Sequence, residues 1–514
     1  MTKSTFPPVL CLLFCLHAFC WSEGSGAVNG DNSLDLLSCV RLTLEKDPEI
    51  AIQWEAVRSQ QGQVQAEIGV FDYELLLTGE GGEERSPLNL VDDRLVGNIS
   101  FTGDLVKLFR SGLEMSGGVS LVRQDFHIPG ESPQNSGRLR VDFTYPLLKG
   151  RGRDITEASR KIAEINYQAS SMDYRHTLSQ RVLAVTQAYW DYLAAVKSLE
   201  IALESEDRSK KLMEDTLTLI EADEAPRNEM IQLQADLATK RAARVTSNNL
   251  VFQTRWNLGL IMGVSPEEIR ALPQPSTAFP KFRELSLPSA EMDAAFVREA
   301  LGGRWDYRAA RLRQGASAKD RNLARDGLKP NLDLTAGAGY NSLEVGGDLE
   351  AFYQALYNNI PGASYSISLK YRLPLKNNVA RGRLVQSEAA MRQTHLQSDD
   401  LGRRISVNVT LALENLRSSW LGLEAAYDSV QYSELAVANE RKKYRLGFST
   451  LIDLINLQDR LTSANRVYLS NQSQVMIALA QLRFEMGLLI EGDVDTAKAS
   501  ARLDLLTTVP VVDP

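Results

Sequence analysis

Residues 444–464 read YRLGFSTLIDLINLQDRLTSA, and the fold turns on how this stretch is parsed. A helical pattern that begins near Val379 ends at about Arg445 and is followed by a short break. Thr450-x-x-Asp453 then has the form of a capping box and opens a second helix, which runs to about Met486. The stretch is therefore a turn joining two long helices. The same plan occurs once before. Leu233, Leu237, Leu258 and Met262-Gly263 stand 224 residues ahead of Leu457, Leu461, Leu482 and Met486-Gly487. That constant offset also pairs Glu229 with Asp453, each just inside a helix start. In the earlier copy one helix spans about Ile155 to Ile220. Its return helix spans about Pro226 to Met262, with Pro226 at the first helical position. Helices of this length reach about 100 Å at 1.5 Å per residue, far beyond the needs of a globular domain.

Working outward, each copy places strands ahead of its long helix. Leu332, Leu334, Ala336 and Ala338 alternate with polar or small residues, as do Tyr365, Ile367, Leu369 and Tyr371. In the first copy Arg138–Tyr145 alternates likewise, and Tyr73–Thr78 begins a partner strand. Two strands per copy are expected. The first copy also carries extra residues, chiefly Gly97–Leu121, that read as a further hairpin. Each copy opens with a shorter helix pair: Ser33–Lys46 and Asp47-Pro48 to Phe71, then Met292–Leu301 and Trp305–Asp326. The long helices carry apolar stripes, Val182 to Leu199 in one and Ile405 to Trp420 in the other, with charges on the opposite faces.

The chain has 514 residues, 57 basic and 65 acidic, for a net charge of −8. Mild acidity argues against a nucleic-acid partner. Beyond the N-terminus no run of about 18 apolar residues occurs, which excludes a polytopic helical membrane protein but not a β-barrel. Residues 1–27 read as a secretory signal, with Lys3, an apolar Val9–Trp21 core and Ser25-Gly26-Ala27 as cleavage site. Cys20 follows Phe19 rather than the small residue that lipidation requires. Of four cysteines only Cys39 lies beyond the signal, so neither a disulfide nor a cysteine metal site is expected. The expected organisation is signal 1–27, first repeat 28–269, proline-marked linker 270–289, second repeat 290–490 and tail 491–514. No catalytic, cofactor or metal pattern stands out. His127, His176 and His395 are isolated, and no enzyme activity is expected.

Taken in order, these patterns resemble the TolC-like outer-membrane efflux proteins. The resemblance is carried by LDLLSCVRLTLEKDPEI (residues 34–50), YPLLKGRGRDITEA (145–158), AYWDYLA (188–194), LKPNL (328–332) and the opening stretch 444–464, and it extends over residues 30–490. It implies an α+β membrane protein of the TolC-like fold. Two tandem repeats supply two strands each, so that a homotrimer closes a twelve-stranded barrel in outer-membrane lipid. The long antiparallel helices form a periplasmic α-barrel. It further implies an exit duct for an efflux system, with a periplasmic adaptor and an inner-membrane RND or ABC transporter as partners. A duct for type I protein secretion shares the pattern. A periplasmic coiled-coil protein without a pore is the reading from a different class. At the tips, the resemblance assigns Tyr444, Gly447 and Glu229 to gating or adaptor contact. An arginine of the family's closed-state link falls on Ser449. Asp453 matches one aspartate of the periplasmic entrance ring, and Asn456 stands where the second would be. A ring of like charges attracts cations.

Overall fold

The computed structural model describes residues 34–89, 92–126, 131–222, 226–279, 292–490 and 510. The signal, much of the linker, nearly all of the tail and His127 lie outside the described residues. Helices α1 (Leu36–Lys46) and α2 (Pro48–Gly69) lead into four strands: β1 (Tyr73–Asn89), β2 (Asp92–Leu108), β3 (Glu114–Asp125) and β4 (Gln134–Pro146). A single turn, α3 (Arg153–Thr156), precedes the long α4 (Ala158–Glu221), its return helix α5 (Glu229–Ile261) and the short α6 (Pro266–Ala271). The order then recurs as α7 (Asp293–Gly303), α8 (Trp305–Asp326), β5 (Asn331–Val345), α9 (Leu349–Gln354), β6 (Ala363–Arg372), α10 (Asn378–Arg445) and α11 (Leu451–Glu485). Among the described residues no helix is long and apolar enough to cross a membrane.

The apolar stripes bury as their spacing requires. Val182, Val185, Tyr189, Tyr192 and Leu193 of α4 join Ile405, Val409, Leu413 and Leu416 of α10 in one core that continues into α1, α7 and the end of α11. Leu199 and Trp420, at the stripe ends, are only half-buried. With 64 residues, α4 spans about 96 Å, and α10, with 68, about 102 Å.

The shared Met-Gly anchors have a physical cause. Gly263 and Gly487 sit at φ +70° and +74° and end α5 and α11 in the left-handed conformation. The amides of Val264 and Leu488 reach back to the carbonyls of Gly259 and Arg483, closing a Schellman cap at each. Each glycine also abuts the break in the opening helix pair of its own copy. A Cβ on Gly263 would lie 2.6 Å from the Lys46 carbonyl, and one on Gly487 would lie 2.8 Å from the Gly303 carbonyl carbon. At the first of these breaks Asp47 caps α2, accepting from the Glu49 amide at 2.8 Å, and pairs with Arg181 of α4. At the second, Arg304 pairs with Glu485 of α11 and, at 2.7 Å, with Asp306.

The strands form one six-stranded antiparallel meander in the order β1-β2-β3-β4-β5-β6. This corrects the expectation of two strands per copy. The second copy supplies two, but the first supplies four, because the segment around Gly97–Leu121 enters the sheet as β2 and most of β3 instead of standing apart. The twelve-strand count therefore does not follow from this chain. The glycines of β3 help make the insertion possible. Gly118 faces Asp104 on one side and Arg140 on the other, and its missing side chain leaves room for Arg140 to reach Asp104 at 3.1 Å across the intervening strand.

The register gives the sheet two unlike faces. Leu75, Leu105, Gly117, Val141, Ala338 and Tyr365 stand side by side in one row. The adjoining row, on the opposite face, holds Asp104, Gly118, Arg140, Gly339 and Ser364, with Leu76 at its β1 end. An apolar face backed by a polar one is what a wall between lipid and water requires. At the end remote from the long helices, the β5–β6 connection folds over the apolar face. Phe352 and Ala355 bury there with Leu121, and Phe352 meets the Phe101 ring edge-on at 6.0 Å. This leaves Tyr353 and Tyr357 exposed beside the sheet. Aromatic residues favour that level, where lipid meets water.

Candidate functional site at the helical tips

The two turns farthest from the sheet lie together. Leu212 of α4, Leu233 of α5, and Leu451 and Leu454 of α11 form a small core, with Met213, Met230, Tyr444 and Ile455 packed around it. The second turn is built as its sequence suggests. Gly447, at φ +75°, closes a Schellman cap on α10: its amide donates to the Tyr444 carbonyl at 3.0 Å, and that of Phe448 donates to Lys443 at 2.9 Å. Thr450 then caps α11, accepting from the Asp453 amide at 3.2 Å. The capping box is formed only by half. The Asp453 carboxylate accepts from the Thr450 hydroxyl at 2.6 Å rather than from the Thr450 backbone. The complete box lies elsewhere, between Ser265 and Glu268 at the start of α6.

The first turn is less regular. Pro226 precedes the helix instead of opening it, and α5 begins at Glu229 without a side-chain cap. Glu229 still occupies the first turn, as Asp453 does in α11, so the pairing by offset holds in position but not in capping.

The structure joins Tyr444 to Glu229. The tyrosine hydroxyl lies 3.5 Å from the Glu229 carboxylate and 3.4 Å from the Thr216 hydroxyl, linking α10 to both helices of the first copy. Burial raises the Tyr444 pKa, the Thr216 hydrogen bond opposes that, and the Glu229 charge adds to it, so the phenol is neutral and available as donor. Ser449 does not join this link. Its hydroxyl donates to Glu440 of α10, which Lys443 also holds at 3.0 Å. Those two partners keep the Glu440 carboxyl below its ordinary range. Asp453 and Asn456 share one exposed face of α11, three residues apart. Leu446 and Phe448 are exposed at the turn itself, at 69% and 81%.

A second set of links, not legible in the sequence, lies further along the helices. Lys240 of α5 bridges Asp236 and Asp459 of α11. Glu206 of α4 gathers Lys210, Arg241 and Arg244. Arg208 donates to Thr462 of α11 at 3.2 Å. These partners are separated by up to 254 positions in the chain and share no motif. Among the described residues no group of His, Cys, Asp and Glu could hold a metal ion. Cys39 is buried and unpaired. His176 lies 3.8 Å from Asp306, and burial lowers its pKa.

The geometry thus combines long paired helices, a two-faced sheet and polar links at converging tips. The family model described as outer membrane efflux protein matches residues 296–488. Outer membrane protein TolC of Escherichia coli (strain K12) is 21% identical over 351 residues, which cover 66% of this chain and 67% of that protein. Outer membrane protein TolC of Vibrio cholerae is 22% identical over 400 residues, covering 76% and 85%. Among solved structures, the CmeC outer membrane channel of Campylobacter jejuni superposes with a TM-score of 0.64 at 14% identity, covering 95% of this chain and 94% of that one. By its fold and by the family match over residues 296–488 the chain is TolC-like, and its relatives place it in the outer membrane. That family is one of channels, not of enzymes.

Proposed function

We propose that the chain works as a homotrimeric exit duct in a tripartite efflux system, receiving its cargo from an inner-membrane RND or ABC transporter through a periplasmic adaptor. The observation that carries this reading is the polar link of Tyr444 to Glu229 and Thr216 over a small apolar core, at the end of the molecule opposite the sheet. Such a link is weak and breakable, since both hydrogen bonds are long, at 3.4 and 3.5 Å. It suits a gate that opens when an adaptor displaces it and the packed helices shift between two arrangements. The exposed Leu446 and Phe448 offer the adaptor an apolar contact. Exposed apolar residues along α10, such as Leu396, Leu411, Leu421 and Tyr432, are suited to burial against a neighbouring copy. The repeat boundaries 28–269 and 290–490, the linker 270–289 and the tail 491–514 belong to the same reading, as does the signal 1–27. A coiled-coil protein without a pore expects loops where the six-stranded sheet stands.

In the trimer Asp453 and Asn456 recur three times around the entrance, so the ring carries one acid per subunit where the family pattern has two. Asp453→Asn is expected to weaken block of the single-channel current by multivalent cations in a planar bilayer. Unchanged block would remove Asp453 from the entrance.

A further inference from the structure

The sheet's two ends are unfinished. Among the described residues β1 and β6 each have one paired neighbour, β2 and β5, and present a free edge on the other side. Both edge strands carry apolar residues on the same face of the sheet: Leu75 and Leu77 on one, Ile367, Leu369 and Tyr371 on the other. Unpaired backbone groups at such an edge are not tolerated in hydrocarbon, so each edge needs a strand from another copy. β1 runs away from the long helices and β6 runs back toward them, so a β6 edge meets the β1 edge of the next copy in antiparallel sense.

We propose that all six strands of each copy enter the wall, so that the trimer closes an eighteen-stranded barrel through β6–β1 pairing between copies. The inference rests on the trimeric reading above for the number of copies, and on this chain alone for the number of strands.

The hairpin of β2 and β3 cannot be left out of the wall without breaking it. It lies between β1 and β4, which do not pair with each other, and its strands are matched from Tyr73↔Lys107 through Gln124↔Gln134 with one register shift, at Pro87/Asn89. Its turn is fastened at the foot of the barrel. A Cβ on Gly112, at φ +90°, would lie 3.0 Å from the Thr156 hydroxyl, and Arg110 approaches the buried Glu157 at 3.5 Å. The hairpin also shares the lipid-facing row through Leu105 and the polar row through Asp104.

Closure fixes the geometry. Straight across the sheet, Tyr73 aligns through Lys107, Met115, Phe143 and Ala336 with Ile367. A stagger of about six residues per copy tilts the strands by about 35°, within the range of natural barrels. That stagger sets Leu369 of one copy beside Leu77 of the next, and Tyr371 beside Leu75. Eighteen strands at this tilt stand about 34 Å apart across the barrel, backbone to backbone, against about 22 Å for twelve. A barrel of that size holds an aqueous channel, so the tips alone close the duct.

The test is electron cryomicroscopy of the full-length protein purified from outer membranes, with native mass spectrometry counting the copies. Three copies with eighteen strands in cross-section is the expected result. Three copies with twelve strands and residues 92–125 outside the wall overturns the proposal while leaving the exit-duct reading intact. Any other copy number overturns the trimer and the eighteen-strand barrel together.

Discussion

Arg304→Ala is expected to lower the stability of the helical body by about 3–5 kcal/mol, the usual cost of removing one member of a buried ion pair. Arg304 and Glu485 are both almost fully buried, and their pairing ties the start of α8 to the last turn of α11. The guanidinium also binds Asp306 and lies 5.3 Å from the Phe484 ring. Burial alone would push the Asp306 pKa up, but the Arg304 hydrogen bond and the nearby positive charges hold it below its ordinary value. Without Arg304 two carboxylates remain beside the apolar core with no guanidinium. A large fall in the thermal midpoint of the detergent-solubilised protein is the readout. Arg304→Met combined with Glu485→Leu removes both charges and should recover most of the loss. If the single variant melts like the wild type, the pair contributes nothing to holding the copy together.

The second large effect is expected at Gly487. Its φ of +74° costs any other residue about 1–2 kcal/mol. A Cβ would in addition lie 2.8–3.1 Å from the backbone of Gly303 and Arg304, which must then move apart, adding about 1–3 kcal/mol. Gly447 has nearly the same φ, +75°, but open space around it. Gly447→Ala should therefore show only the backbone cost, and Gly487→Ala clearly more. Equal shifts in denaturation midpoint would mean that the close approach at Gly303 is readily relieved.

The comparison of these two glycines also shows what a sequence can reveal. The Met-Gly anchors were legible as repeat markers, because a left-handed helix stop selects glycine wherever it recurs. Why the anchors recur at that spacing was not legible: the glycine must let a second helix pair come within van der Waals contact. The long helices were readable to within a few residues because their stripes run for many turns. Strands β4, β5 and β6 were readable from strict alternation. The β2–β3 hairpin was recognised as a hairpin but not as wall, since Gly117 and Gly118 interrupt its alternation and only the Arg140–Asp104 contact across β3 explains Gly118. At the tips, the sequence located Tyr444, Glu229, Gly447 and Asp453. It could not show that Ser449 turns to Glu440, or that Lys240 spans α5 and α11, because those partners are set by helix packing and not by spacing.

The central claim is that this chain forms a channel closed at the helical tips. It is tested most directly by single-channel recording of the purified full-length protein in a planar lipid bilayer, beside a Tyr444→Phe, Glu229→Gln variant. The account predicts discrete current steps for the wild type and larger or longer-lived openings for the variant, whose link at the tip is broken. Identical currents from both would contradict the gate, and no steps from either would contradict the channel itself.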